Sequence, residues 1–144
     1  MLQISYIRQN AALVKERLAV RNFADLSVVD KILESDEQVR KLKTETESIQ
    51  SSINAASKEI GMLMGKGEKE AAEARKQEVG ANKSALQNLS AQLADAEKQL
   101  QHLLILLPNL PHLSVPKGKT PEDNEVVKEG GIKPALPASA VPHW

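Results

Sequence analysis

Few side chains in this sequence could do chemistry, and they are widely spaced. The three histidines, His102, His112 and His143, lie too far apart to match any common metal-ligand spacing. His102 reads as a structural residue on a helix face. His112 and His143, each directly after proline in "LPHL" and "VPHW", read as turn markers. There is no cysteine, hence no thiolate nucleophile or disulfide, which fits a reducing compartment. Neighbouring carboxylates such as Asp36 and Glu37 do not face each other on a helix. Neither a phosphate-cradling glycine motif nor a G-x-S-x-G elbow occurs. No catalytic or metal-binding set is therefore expected in this chain. What remains is cationic: Lys58, Lys66, Lys69, Arg75, Lys76 and Lys83 in mid-sequence, and a smaller cluster of Arg40, Lys41 and Lys43. Glu59, Glu68, Glu70, Glu73 and Glu78 are interspersed, so the plain reading of any one lysine is a solvated helix face. The sharper reading is a surface that tracks a phosphate backbone by position rather than by base readout.

The composition narrows what such a surface could serve. Nineteen basic and nineteen acidic residues cancel, so general attraction to nucleic acid is not built in, and any binding must come from local clusters. In 144 residues, about one domain's worth, the only aromatics are Tyr6, Phe23 and Trp144. The apolar content is Leu, Ile, Val and Ala, which suits helices packed on helices. "MLQISYIRQN" lacks the basic-then-apolar order of a secretory signal. The longest strongly apolar run, Leu103 to Leu107, is about a quarter of a membrane span. A soluble, cytoplasmic protein with no membrane partner is expected.

The elements that must position the cations follow from periodicity. Residues 1–26 form an N-terminal segment whose apolar stripe, Ile7, Ala11, Val14 and Leu18, predicts one short helix, with Asn10 as a candidate cap. Residues 27–107 consist almost wholly of helix formers, and "SVVD" from Ser27 resembles a capping box that starts the first long helix. Steps of three and four from Ile32 to Leu63 meet apolar residues at eight of ten positions, and from Ala72 to Leu107 at nine of eleven. Such a repeat, twice, predicts a coiled coil. Folded back near Lys66 to Glu68, the two stripes pair Leu63 with Ala72, Ala56 with Val79, Ile49 with Leu86 and Val39 with Ala96, large often against small. Gly65 and Gly67 are the candidate turn residues, with the tip near 64–69. Arg75 falls on the seam and must turn its head outward. Leu104, Ile105 and Leu106 lie off the seam, and the N-terminal helix is their expected cover. All seven prolines fall from Pro108 onward, so 108–144 is an irregular connector with a short strand or two. The fold class is all-α: a long antiparallel coiled-coil hairpin with a short helix at its base.

Four stretches in this order resemble the start of a bacterial-type seryl-tRNA synthetase. They are "IRQNAALVKERLAVR", "VDKILESDEQVRKLKTE", "INAASKEIG" with the N-x-x-S-K-x-I-G pattern of Asn54, Ser57, Lys58, Ile60 and Gly61, and "LLPNLPHLSVPKGKTPEDNEVV". Together they cover nearly the whole chain. Ile53 stands where the family often has arginine, and Leu113 where it often has glutamate.

The resemblance implies that the hairpin is the tRNA-binding arm. It would hold the long variable arm of serine tRNA by shape and phosphate contact. Arg40, Lys41, Lys58, Lys66, Lys69, Arg75, Lys76 and Lys83 are the candidate contacts. It also implies a homodimeric class II ligase that joins serine to tRNA with ATP and Mg2+. The catalytic core would begin near "VPHW", where this chain stops, so the chain alone is expected to be inactive. The competing readings are a protein-interaction coiled coil without RNA and a paralogue that binds tRNA without charging it. The connector argues against a mere scaffold, which has no use for "PNLPHLSVPKGK".

Overall fold

The computed structural model describes residues 2–132 and 134–141. Among these residues there are four α-helices in chain order, α1 (Ile4–Gln9), α2 (Ala11–Val20), α3 (Val28–Lys66) and α4 (Lys69–Leu106), then one 3-10 turn at Pro121–Asp123. Among the described residues there is no strand, so the connector's expected strands do not form. "VPHW" lies mostly outside the described residues, His143 included.

The expected single N-terminal helix is two. The chain breaks at Asn10, whose backbone leaves helical geometry (φ −131°, ψ 33°) and whose amide Nδ2 donates to the Tyr6 carbonyl at 3.0 Å. Asn10 therefore closes α1 rather than capping α2 with its side chain. The apolar stripe survives the break: Ile7, Val14 and Leu18 are all fully buried. The expected capping box at Ser27 is also replaced. Ser27 is itself helical, and Asp25 does the capping, its Oδ1 accepting the Ser27 N–H at 3.0 Å and the Ser27 hydroxyl.

Helices α3 and α4 form the hairpin. At about 1.5 Å per residue, the 39 residues of α3 span about 58 Å. Only Gly67 makes the turn, with φ +81°. Its N–H bonds to Met64 O and that of Glu68 to Leu63 O, a Schellman closure that satisfies the last carbonyls of α3. Gly65, expected to share this task, is ordinary helix. The reversal at Gly67–Glu68 centres the pairing where the sequence placed it. Ile53, Ala56 and Val79 form a core cluster with Ile49, Ile60 and Leu86 packed against it. Ile53 thus serves the seam.

At the base, Ile7, Val14 and Leu18 pack with Val28, Val29 and Ile32 of α3 and with Leu100, Leu104 and Leu107. The N-terminal helices cover Leu104 but not its neighbours: Ile105 is 65% exposed and Leu106 49%. A run of five aliphatic residues turns through all faces of a helix, and α1 and α2 are too short to wrap it. Asp36, 4% exposed, is held by Arg8 through two 3.0 Å hydrogen bonds and by Arg40 through one. The Arg17 guanidinium, also buried, donates to the carbonyls of Pro111 and His112, and Arg21 to that of Asn109. These bonds lash the first part of the connector to α2.

Candidate nucleic-acid interface

Helical periodicity decides where each cation of the arm stands. Lys58, Lys66, Lys69, Lys76 and Lys83 are all exposed, because they lie off the 3.5-residue seam. Lys66 and Lys69 flank the turn. On α4, Lys69, Lys76 and Lys83 recur every seven residues, so they form one stripe along the helix. Lys76 and Lys83 line a shallow groove with Ser57, Ile60, Val79 and Gly80. Lys41 lies nearer the base, also exposed. The eight expected residues are therefore spread along the arm rather than gathered in one patch.

Three of the eight are held by carboxylates. Arg75 does turn its head out of the seam, but onto Glu78 at 2.6 Å and across the hairpin onto Glu59 at 3.1 Å. Its hydrogen bond to Glu78, then the charge of Glu59, raise its pKa above the usual arginine value. Lys76 meets Glu73 at 3.2 Å, an exposed pair one turn apart that salt readily screens. Arg40 is engaged with the buried Asp36. No salt bridge holds Lys41, Lys58, Lys66, Lys69 or Lys83 among the described residues.

Polar residues that are not among the eight stand beside these cations. Gln50 and Asn54 bond to each other at 3.1 Å and line a groove with Thr46, Ser51, Leu86 and Ser90. Ser57 donates its hydroxyl to the Ile53 carbonyl at 2.7 Å. The signal for Asn54 and Ser57 was present in the N-x-x-S-K pattern; Gln50 had none. The groups of this surface are ammonium, amide and hydroxyl, the types that contact a phosphate backbone. Among the described residues, no group of three or more His, Asp or Glu side chains is gathered to hold a metal ion. No helix among them is long and apolar enough to cross a membrane.

Comparison with known proteins gives this surface a context. The family model described as the Seryl-tRNA synthetase N-terminal domain matches residues 1–111. The chain belongs to that family. A serine–tRNA ligase of Salinibacter ruber is 37% identical over the whole chain, which covers 34% of that protein. One from Delftia acidovorans is 42% identical over 132 residues, 91% of this chain and 30% of the ligase. In the crystal structure of seryl-tRNA synthetase from Pyrococcus horikoshii complexed with ATP, the likeness has a TM-score of 0.71 at 32% identity. It covers 85% of this chain and 27% of that one. This chain thus spans about a third of the length of the curated ligases it matches. The seryl-tRNA synthetase N-terminal domain seen here consists of the base, the hairpin and the first residues of the connector.

Proposed function

We propose that the hairpin is the tRNA-binding arm of a serine–tRNA ligase, gripping the long variable arm of serine tRNA by shape and phosphate contact. In this reading the arm belongs to one subunit of a cytoplasmic homodimer and guides tRNA to the partner's active site. A class II core in the remaining two thirds of the ligase's length attaches serine. The ATP and Mg2+ of that reaction belong, in this reading, to that core.

The carrying observation is the shape of the arm in a chain of this family. Two helices share one narrow seam and leave every other face to solvent over tens of ångströms. Between the base and the tip, no large apolar side chain is exposed among the described residues; Met62 and Met64 at the tip and Ile105 and Leu106 at the base are the exceptions on the hairpin. A scaffold that recruits a third helix needs a second apolar stripe along its shaft, whereas a surface for RNA backbone needs spaced cations and hydrogen-bonding groups. Backbone-cleavage footprinting of serine tRNA with this chain tests the reading. Protection concentrated in the variable arm is expected. Protection only elsewhere, or none at saturating protein, would overturn it.

A further inference from the structure

The two broad faces of the hairpin differ in charge and chemistry. One carries the α4 stripe of Lys69, Lys76 and Lys83, about 10 Å between successive members. Across the seam on the same side stand Ser57, Asn54 and Gln50 of α3. This follows because Ser57 shares a groove with Lys76 and Lys83, and Gln50 and Asn54 share the next groove with Ser90, one heptad beyond Lys83. Carboxylates stand here too: Glu73, four residues from Lys69 and paired with Lys76; Glu68 and Glu70, which share a groove with Lys69 at the tip; Glu47 at the far groove; and Glu97, two heptads beyond Lys83 toward the base. The other side carries the Glu59–Arg75–Glu78 cluster, in which two carboxylates outweigh one guanidinium, with Lys66, one heptad beyond Glu59, as its cation at the tip.

Resting on the reading of the hairpin as an RNA-binding arm, we infer that only the lysine-stripe face meets RNA. Its occupant is the sugar–phosphate backbone of a double-stranded RNA segment, and the Glu59–Glu78 face is turned away. Charge is the first argument: a polyanion is drawn to spaced lysines and repelled by paired glutamates. The neighbouring amides and hydroxyls are the second, since duplex RNA is bound through phosphates and 2′-hydroxyls rather than base edges. Relief is the third. Gly80 lies between Lys76 and Lys83 along α4 and lines the groove, and a Cβ built there meets nothing within 4 Å. The missing side chain leaves the stripe bare of bulk between the two lysines, where a backbone can approach the helix.

The same feature supplies a clean test. Gly80→Glu places a carboxylate on the stripe in open space, and glutamate is the better helix former, so folding is not at risk. Ala81→Glu, one residue on and about 100° further round the helix, adds the same charge at the same height on the other side. Affinity for serine tRNA is measured by fluorescence anisotropy at fixed salt, with helicity and Tm as fold controls. Gly80→Glu is expected to weaken binding roughly tenfold or more, and Ala81→Glu by less than about threefold. Lys83→Ala should flatten the salt slope by about one, while Arg75→Gln leaves it unchanged. If wild type binds and both glutamates weaken it equally, or Ala81→Glu weakens it more, the facial assignment is wrong and the arm reading stands. If wild type does not bind, the arm reading fails and takes the facial assignment with it.

Discussion

Asp36 is the residue whose position says most about the base of the arm. Its carboxylate is buried and shared by Arg8 and Arg40, both of which reach solvent. Asp36→Ala is expected to lower stability by about 1–2 kcal/mol, read from urea unfolding, because charge-assisted bonds are lost while the arginines can rehydrate. This role was not legible beforehand: Arg8 lies 28 residues away, and no local spacing announces the pair. Asp123 is a second case. It accepts the N–H groups of Lys119 and Thr120, at 2.7 and 3.0 Å, and these bonds lower its pKa. A carboxylate with a lowered folded pKa stabilises its turn above the ordinary value, 3.8, and that contribution is lost as pH falls through the folded value. Amide exchange at Lys119 and Thr120 should therefore be protected near neutrality and lose protection in acid. Gly118→Ala should abolish that protection even at neutral pH, since its Cβ would sit 2.5 Å from that of Asp123.

At the scale of elements, the hairpin was legible because a heptad stripe is a property of neighbouring residues. The turn lay where the two stripes run out of apolar positions. Which glycine would bend was not legible, since Gly65 and Gly67 have the same freedom and only the closing bonds choose between them. The structure makes the choice testable. Gly67→Ala forces a side chain into the left-handed region and should cost about 1–2 kcal/mol. Gly65→Ala, helical and unobstructed, should stabilise by about 0.5–1 kcal/mol. Equal Tm shifts for the two would contradict the turn described. The break at Asn10 and the cap at Asp25 went unread for a related reason. Asn and Ser side chains serve a helix end on either side, and the stripe alone does not say which.

For the molecule as a whole, the weight of apolar burial sits at the base and thins along the arm. Five large side chains there are buried essentially completely, Ile7, Val14, Leu18, Val29 and Ile32, while the mid-arm cluster keeps a few per cent of exposure at each member and near the tip the fully buried side chain is the small Ala72. Hydrogen exchange should accordingly quicken from base to tip, and Leu18→Ala, expected to cost about 2–5 kcal/mol, should destabilise more than Val79→Ala. That the N-terminal stripe would seal the base was readable from its spacing. That it leaves Ile105 and Leu106 bare was not, because coverage depends on how far two short helices reach. The hold of Arg17 on a connector more than ninety residues away was equally beyond local pattern. The account's central claim, that the arm selects serine tRNA by its variable arm, is tested most directly by a salt titration. Affinity is measured for serine tRNA and for the same tRNA with its variable arm shortened. The account predicts tighter binding to the intact tRNA, with log affinity falling linearly as log salt rises and a shallower fall for the shortened one. Equal affinities and equal slopes would contradict it.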